Sequence, residues 1–216
     1  MESMKMMDKS TKTATKIYPV VKRGMDIFGA SFGLLILLPV FIVLACIIKL
    51  SDFKAPIFFK QERLGKNGVR FMMYKFRTMV PNAEEKLAEL LPFNEIEGAM
   101  FKIKHDPRIT KIGSLLRKTS MDEFPQLFNV LKGDMSLVGP RPPLRREVAE
   151  YSVRDYKRLS VTPGCTGLWQ VSGRNNVSFA EMVNLDLEYI QKTSFLFDVQ
   201  ILFKTVRVII FPNSAY

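Results

Sequence analysis

Residues 25–50 read MDIFGASFGLLILLPVFIVLACIIKL, and the 22 residues from Ile27 to Ile48 carry no charge. Roughly 20 apolar residues suffice for a helix to cross the hydrocarbon of a bilayer. The run is too long for the core of a secretory signal and no small-residue cleavage site follows it, so the segment is expected to stay in the mature protein. Its flanks complicate a simple crossing. Lys5, Lys9, Lys12, Lys16, Lys22 and Arg23 precede it; Lys49, Lys54, Lys60, Arg63, Lys66, Arg70, Lys75 and Arg77 follow. Basic residues beside membrane segments favour the cytoplasmic side, and a single crossing would strand one of the two sets outside. Pro39, near the middle, removes a backbone donor and predicts a kink, which would let a helix enter and leave by one face. A plain signal-anchor span with a mild bend and a buried core helix remain alternatives.

Outward from this run, residues 1–18 are polar and rich in Lys and Thr, which predicts a mobile basic tail. With 216 residues the chain has room for one ordinary domain and its appendages. Lys and Arg total 32 against 21 acidic residues, a net charge of +11, so the natural partners are anions: nucleic acid, acidic lipid surfaces or phosphorylated small molecules. Cys46 and Cys165 lack the spacing of a zinc site or disulfide framework, and His105 is the single histidine, so no histidine cluster exists for a metal or a relay.

The remaining pattern predicts an α+β fold: a small, mostly helical cytosolic domain over 51–216 with a short β-hairpin and interfacial amphipathic helices. Strands are expected at 56–61 and 70–78, joined by a turn with Gly65 and Asn67-Gly68. Asn82 with Glu85 predicts a capped helix after Pro81, and Thr110 a short helix to Lys118. MSLVG after Gly133 suggests a short strand, 144–160 a helix, and 161–176 a glycine-rich loop holding Trp169. Ser178 with Glu181 is a capping box opening a helix to about Gln191. In the final apolar stretch Gln200, Lys204 and Arg207 share one face, as in a core helix with snorkelling ends or a helix lying in the membrane interface.

The chemistry concentrates in KTSMDEFPQLFNVLKGDMSLVGPRPP, residues 118–143. Ser120 and Glu123 have capping-box spacing, and Asp122 would sit in the first helical turn; a plain helix start accounts for all three. Arg117 and Lys118 precede the acidic pair, however, and Arg141 is held between Pro140 and Pro142, with Arg145 and Arg146 following. Prolines on both sides restrict the backbone of an arginine in a way that suits fixed phosphate geometry. A carboxylate that attacks phosphorus needs cations to offset the phosphate oxygens, from Arg and Lys or from a divalent metal. The carboxylates beside these arginines would repel a nucleic-acid backbone, which argues against a nucleic-acid partner.

Taken together, the basic-flanked anchor, FFKQERLGKNG (58–68), MYKFRTM (73–79), the 106–143 block and TPGCTGLWQVSGR (162–174) resemble the bacterial sugar transferases, the monotopic phosphoglycosyl transferases, over about residues 20–210. Larger relatives carry an extra multispanning N-terminal region, so this chain resembles the minimal catalytic form. The resemblance implies transfer of a sugar 1-phosphate from a UDP-sugar to polyprenyl phosphate with release of UMP. Asp122 is the implied nucleophile, and Glu123 holds Mg²⁺ or assists proton transfer, with Asp106 a second metal ligand. It implies phosphate contacts from Arg117, Arg141, Lys75, Arg77 and Arg108, and sugar or nucleotide contacts from Trp169, Arg174 and Arg145. It further implies a re-entrant membrane helix over 19–50 kinked near Pro39, with the active site on the cytoplasmic face of the bacterial inner membrane; a homodimer is a possible assembly. Direct transfer with the acidic pair only binding metal, and a membrane-tethered polyanion binder, are the rival readings.

Overall fold

The computed structural model describes residues 2–95, 101, 103, 105–173 and 177–210, with side chains from residue 17 to residue 209. Helix α1 runs from Glu2 to Ser51 and contains both Pro19 and Pro39. The stretch expected to be a loose tail thus joins the helix.

One stripe of α1 packs on the rest of the protein: Lys22, Asp26, Ala30, Gly33, Leu37, Phe41, Leu44 and Ile48, spaced by threes and fours as a single helical face requires. Ala30 joins Phe71, Met73, Val130 and Met135 in one buried cluster, while Phe41 and Ile48 join Phe76 and Leu116 in a second. The opposite face leaves Phe28, Phe32, Leu35, Ile36, Leu38, Ile42 and Val43 each more than half exposed. Only 11% of the most apolar window is buried in the protein, unlike the core helix of a soluble protein, and this unpartnered apolar surface suggests membrane association.

The polar groups at the start of the stripe are all used. Lys22 Nζ donates to Asp198 Oδ2 at 2.8 Å and to the Val138 carbonyl at 2.9 Å. Tyr18 and Tyr189 hydroxyls donate to the two Asp198 oxygens. Asp26 accepts from Ser136 Oγ and the Leu137 amide, both at 2.9 Å, and Arg23 donates to the Val130 and Leu131 carbonyls.

After α1 come β1 (Phe58–Leu64) and β2 (Arg70–Phe76), an antiparallel pair with Phe58 opposite Phe76 and Leu64 opposite Arg70. The turn between them places Asn67 and Gly68 at positive φ, as the Asn-Gly pair predicts. Helix α2 spans only Leu87–Leu90. Asn82, expected to cap a longer helix, has φ 60° and sits in the turn before it, incompatible with the extended backbone of an N-cap. Thr110 does cap α3 (Lys111–Thr119), its hydroxyl accepting from Gly113 N at 2.9 Å.

Helix α4 (Gln126–Lys132) and strand β3 (Ser136–Val138) follow, then α5 (Arg145–Ala149). The helix expected over 144–160 is broken: α5 stops at Ala149 and only a 3₁₀ segment, Asp155–Ser160, continues. The glycine-rich stretch at 161–176 holds more order than expected, with β4 (Gly164–Thr166) parallel to β3 and α6 (Leu168–Ser172) after it. A Cβ at Gly164 would lie 2.0 Å from Gly139 N, so glycine lets the two backbones meet there. Helices α7 (Phe179–Lys192), opened by the Ser178–Glu181 capping box, and α8 (Phe195–Ile210) are the last of the described elements. Helix α8 buries Asp198 and Ile201 and exposes Leu196, Phe203 and Val206 beside its polar Gln200, Lys204 and Arg207.

Asn129 joins α4 to the hairpin. Fully buried, it accepts from Tyr74 N at 3.0 Å and donates to the Met72 carbonyl at 2.7 Å. Asn129→Ala strands both backbone groups, at about 1–3 kcal/mol each. Thermal unfolding in detergent is expected to show a clear loss of stability, and an unchanged melting temperature would show that this bridge does not hold the layers together.

Candidate active site

Asp122 and Glu123 lie on a one-turn 3₁₀ segment, Met121–Glu123, wedged between α3 and α4. The capping box expected from Ser120 and Glu123 does not form. Ser120 instead closes α3, with φ 59° and its amide donating to the Leu116 and Arg117 carbonyls, and a left-handed residue cannot adopt the extended backbone that an N-cap needs. The acidic pair therefore precedes α4 rather than occupying its first turn. The positive φ of a non-glycine residue beside it is a local strain of the kind that collects at functional sites.

Asp122 is 6% exposed. Burial, with Glu123 adding to it, pushes its carboxyl up to about 6, while Lys75 and Arg117 pull the other way. Lys75 Nζ is 2.6 Å from Glu123 Oε1 and 3.9 Å from Asp122 Oδ2, so one ammonium from β2 serves both carboxylates. These groups line a cavity of about 270 Å³ with Arg63, Arg117, Arg141, Gln126, Gly164, Cys165, Trp169 and Gln170. A second cavity of about 540 Å³ adjoins it and is also lined by Arg63, Lys75, Arg117 and Arg141, so these four cations separate the two chambers.

The expected site residues divide between the chambers. Asp122, Glu123 and Trp169 belong to the first; Arg77, Arg108 and Asp106 line only the second. Arg145 is exposed and lines neither, whereas Arg146, one position on, lines the second. Arg174 lies outside the described residues. Asp106 is engaged by Arg108, whose guanidinium reaches both its oxygens with a closest approach of 2.6 Å; burial opposes its charge, but Arg108 holds it below the usual carboxylate range. It is thus not placed with Glu123. Among the described residues no three His, Cys, Asp or Glu side chains converge. Of the two expected metal ligands only Glu123 lines the first cavity, beside Asp122, and it would hold a hard cation only with further ligands from substrate phosphates and water.

The cations are themselves positioned. Arg117 Nε donates to Thr78 Oγ1 at 3.0 Å. Arg77 donates to the Ile48 carbonyl at 3.3 Å and lies 3.9 Å from Asp52, tying the second chamber to the end of α1. Arg141 is gripped through both nitrogens by Glu147, at 3.0 and 3.3 Å. Glu147 is 2% exposed and, against its burial, Arg141 and Arg63 keep it below the usual carboxylate range. The sequence reading missed Glu147, Arg63, Gln126 and Gln170. Arg63 is 7% exposed, donates to the Pro142 carbonyl at 3.1 Å, and has its charge opposed by burial and by Arg141, which an arriving phosphate would relieve. Burial also pushes the Cys165 thiol up, so it offers no thiolate to the cavity.

Chemically, a buried carboxylate faced by one ammonium and three guanidinium groups suits attack on, or binding of, a phosphoryl group. The family model for the bacterial sugar transferases matches residues 17–212. The chain is 49% identical to the galactosyl transferase CpsE of Streptococcus agalactiae over 91% of its own length and 43% of that protein's. It is 45% identical to the undecaprenyl-phosphate galactose phosphotransferase of Salmonella typhimurium over 91% and 42% of the two lengths, and 40% identical to the exopolysaccharide production protein ExoY of Rhizobium meliloti over 91% and 88%. The chain thus spans less than half the length of the first two of these relatives and most of the third. With that match running through the anchor, the acidic pair and the cationic chambers alike, the chain belongs to the bacterial sugar transferase family.

Proposed function

We propose that the protein transfers a sugar 1-phosphate from a UDP-sugar to polyprenyl phosphate, releasing UMP, through a phosphosugar carried on Asp122. The observation that carries the reading is the burial of Asp122 beside Glu123 under Lys75, in the first of two adjoining cation-lined chambers. The printed names of relatives acting on UDP-galactose, a lipid carrier or undecaprenyl phosphate support the same substrates.

In the first step an Asp122 oxygen forms a bond to the sugar-linked phosphorus, and the bond from that phosphorus to the bridging oxygen breaks, so the pair of electrons leaves with UMP. Arg117, Arg141 and Arg63 take up charge on the phosphate oxygens, and Lys75 neutralises the pair of carboxylates before phosphate arrives. In the second step an oxygen of polyprenyl phosphate attacks the same phosphorus and Asp122 leaves as carboxylate. One phosphoanhydride replaces another, so the problem is positioning and charge neutralisation. Mg²⁺ held at Glu123 would neutralise further charge on the transferring group. A covalent step lets a water-soluble donor and a lipid acceptor use one carboxylate in turn.

The lipid substrate calls for the bilayer, and α1 supports a re-entrant placement. Lys22 near one end and Ile48 near the other, 26 residues further along the chain, both pack on the same folded unit. A helix crossing the bilayer would have to surrender one of those ends. The exposed apolar faces of α1 and α8 then meet lipid, and the active site faces the cytoplasm of the bacterial inner membrane.

Asp122→Asn is expected to abolish UMP release while the protein still sediments with membranes; substantial remaining activity would refute the nucleophile. Quenching wild-type protein with UDP-sugar alone should trap a phosphosugar on Asp122 by mass spectrometry, and its absence would favour direct transfer. Because the carboxylate must be ionised, kcat/KM should fall about tenfold per pH unit below about 6. With Cys46 and Cys165 changed to serine, cysteines placed at Ile17 and Phe53 should both resist an impermeant reagent outside intact cells. Labelling of one alone would establish a crossing helix.

A further inference from the structure

Gln126 lines the first cavity with Asp122 and Glu123, and the backbone puts it there. The amides of Glu123, Phe124, Leu127 and Phe128 each donate to the carbonyl three residues earlier, and Phe124 and Pro125 keep helical angles, so the 3₁₀ turn of the acidic pair runs into α4 without a break. Residues three and four apart on such a turn are neighbours, with about 5–6 Å between Cβ atoms, so Gln126 stands next to both carboxylates. It is 3% exposed, yet among the described residues no hydrogen bond engages its side-chain amide, and neither the nitrogen nor the oxygen is sealed from solvent. The little surface that the amide keeps therefore opens on the cavity that the residue lines. The four cations of that cavity are already committed: Lys75 to Glu123, Arg117 to Thr78, Arg141 to Glu147 and Arg63 to the Pro142 carbonyl. Gln126 adds two N–H donors that the folded protein leaves unused.

Resting on the function proposed above, we infer that Gln126 is a further catalytic residue, whose Nε2 donates a hydrogen bond to a non-bridging oxygen of the phosphoryl group as that group joins and leaves Asp122. Phosphoryl oxygens accept hydrogen bonds and offer none, so they match the nitrogen end of the amide. Position selects the phosphorus that is transferred. Asp122 attacks in line with the departing UMP, so the uridine-side phosphate lies on the far side of the attacked phosphorus, while a residue next to the nucleophile meets the oxygens of the group being passed. The bond is made most fully as that group closes on the carboxylate, and little of it exists when UDP-sugar first settles on the cations. An interaction stronger in the transition state than in the ground state raises kcat and leaves KM nearly alone. Neutrality suits the second step as well. Charge-assisted hydrogen bonds are roughly twice as strong as neutral ones, so a fifth cation would hold the phosphosugar and the freed carboxylate more tightly, whereas an amide supplies direction without added charge.

The test compares Gln126→Met and Gln126→Glu with wild type on the full chain in detergent, with undecaprenyl phosphate, Mg²⁺ and whichever of UDP-galactose, UDP-glucose and their N-acetyl counterparts wild type turns over. Methionine keeps the length of the side chain and removes the donor; glutamate keeps the shape and serves if the methionine variant misfolds. In Gln126→Met, kcat for UMP release should fall about 100-fold while KM for the UDP-sugar stays within about threefold. Gln126→Glu should lose at least as much, because its carboxylate repels the phosphoryl oxygens. The same comparison is then made with the two diastereomers of a UDP-hexose that carries sulfur in place of a non-bridging oxygen on the sugar-linked phosphorus. Sulfur accepts hydrogen bonds weakly, so with one diastereomer the deficit of the variant should shrink to less than about tenfold, as expected when the two changes remove one shared contact. A residue that only supports the helix would slow every donor alike. Unchanged kcat in both variants, or equal deficits with oxygen and with both sulfur donors, would overturn the inference. So would recovery of Gln126→Met at higher Mg²⁺, which would make the amide oxygen a metal ligand. Wild type that releases no UMP would overturn the reaction and this role together, whereas an active wild type matched by equally active variants overturns the role alone.

Discussion

A helix that is apolar on every side has no preferred orientation until polar groups give it one. In α1 those groups are Lys22, Arg23 and Asp26, each bonded to a different part of the domain: the buried carboxylate of α8, the last carbonyls of α4, and the start of β3. Breaking such a buried pair leaves an uncompensated charge, which costs more than the pair contributes over a hydrophobic replacement. The network therefore fixes which stripe of α1 faces protein, and by exclusion which stripe is left to lipid. Everything else in the fold is arranged around that choice, since Ala30 and Phe41 belong to the same clusters as the strand that carries Lys75 and the helix that follows the acidic pair.

The site inherits its electrostatics from this arrangement. Lys75 comes from β2, Arg117 from α3, Arg141 from the proline turn, and Arg63 from β1. Two of them are braced by neighbours that take part in no chemistry themselves, Thr78 for Arg117 and Glu147 for Arg141. Like charges so close together repel, and Glu147 offsets this for Arg141 and, at 4.0 Å, for Arg63. The result is a set of cations organised before any phosphate arrives, the condition under which fixed charges contribute most to stabilising a transition state.

Local signals were legible in the sequence. The length and basic flanks of the apolar run, the Asn67-Gly68 turn and the caps at Thr110 and Ser178 all rest on short-range patterns that the structure keeps, while the acidic pair with Arg117, Arg141 and Lys75, named together through the family resemblance, lines one cavity. The misreadings share a cause. Ser120 and Glu123 have the spacing of a capping box, but α3 needed a left-handed residue to finish, and that need took Ser120 first. Asn82 was lost to a turn for the same backbone reason. Glu147, Arg63 and Gln170 act through partners brought near by folding, and β4 is a three-residue strand that exists because β3 lies beside it. No spacing in the chain announces such contacts.

The close fit of α1 has a practical corollary for dissecting this protein. A chain starting after Ser51 would lose part of two buried clusters and bare Phe71, Met73, Phe76 and Leu116 to solvent. The anchor cannot be swapped for a lipid tail or a foreign span, because it is a structural wall of the domain as well as its mooring. Excising it would yield aggregate in place of a soluble catalyst.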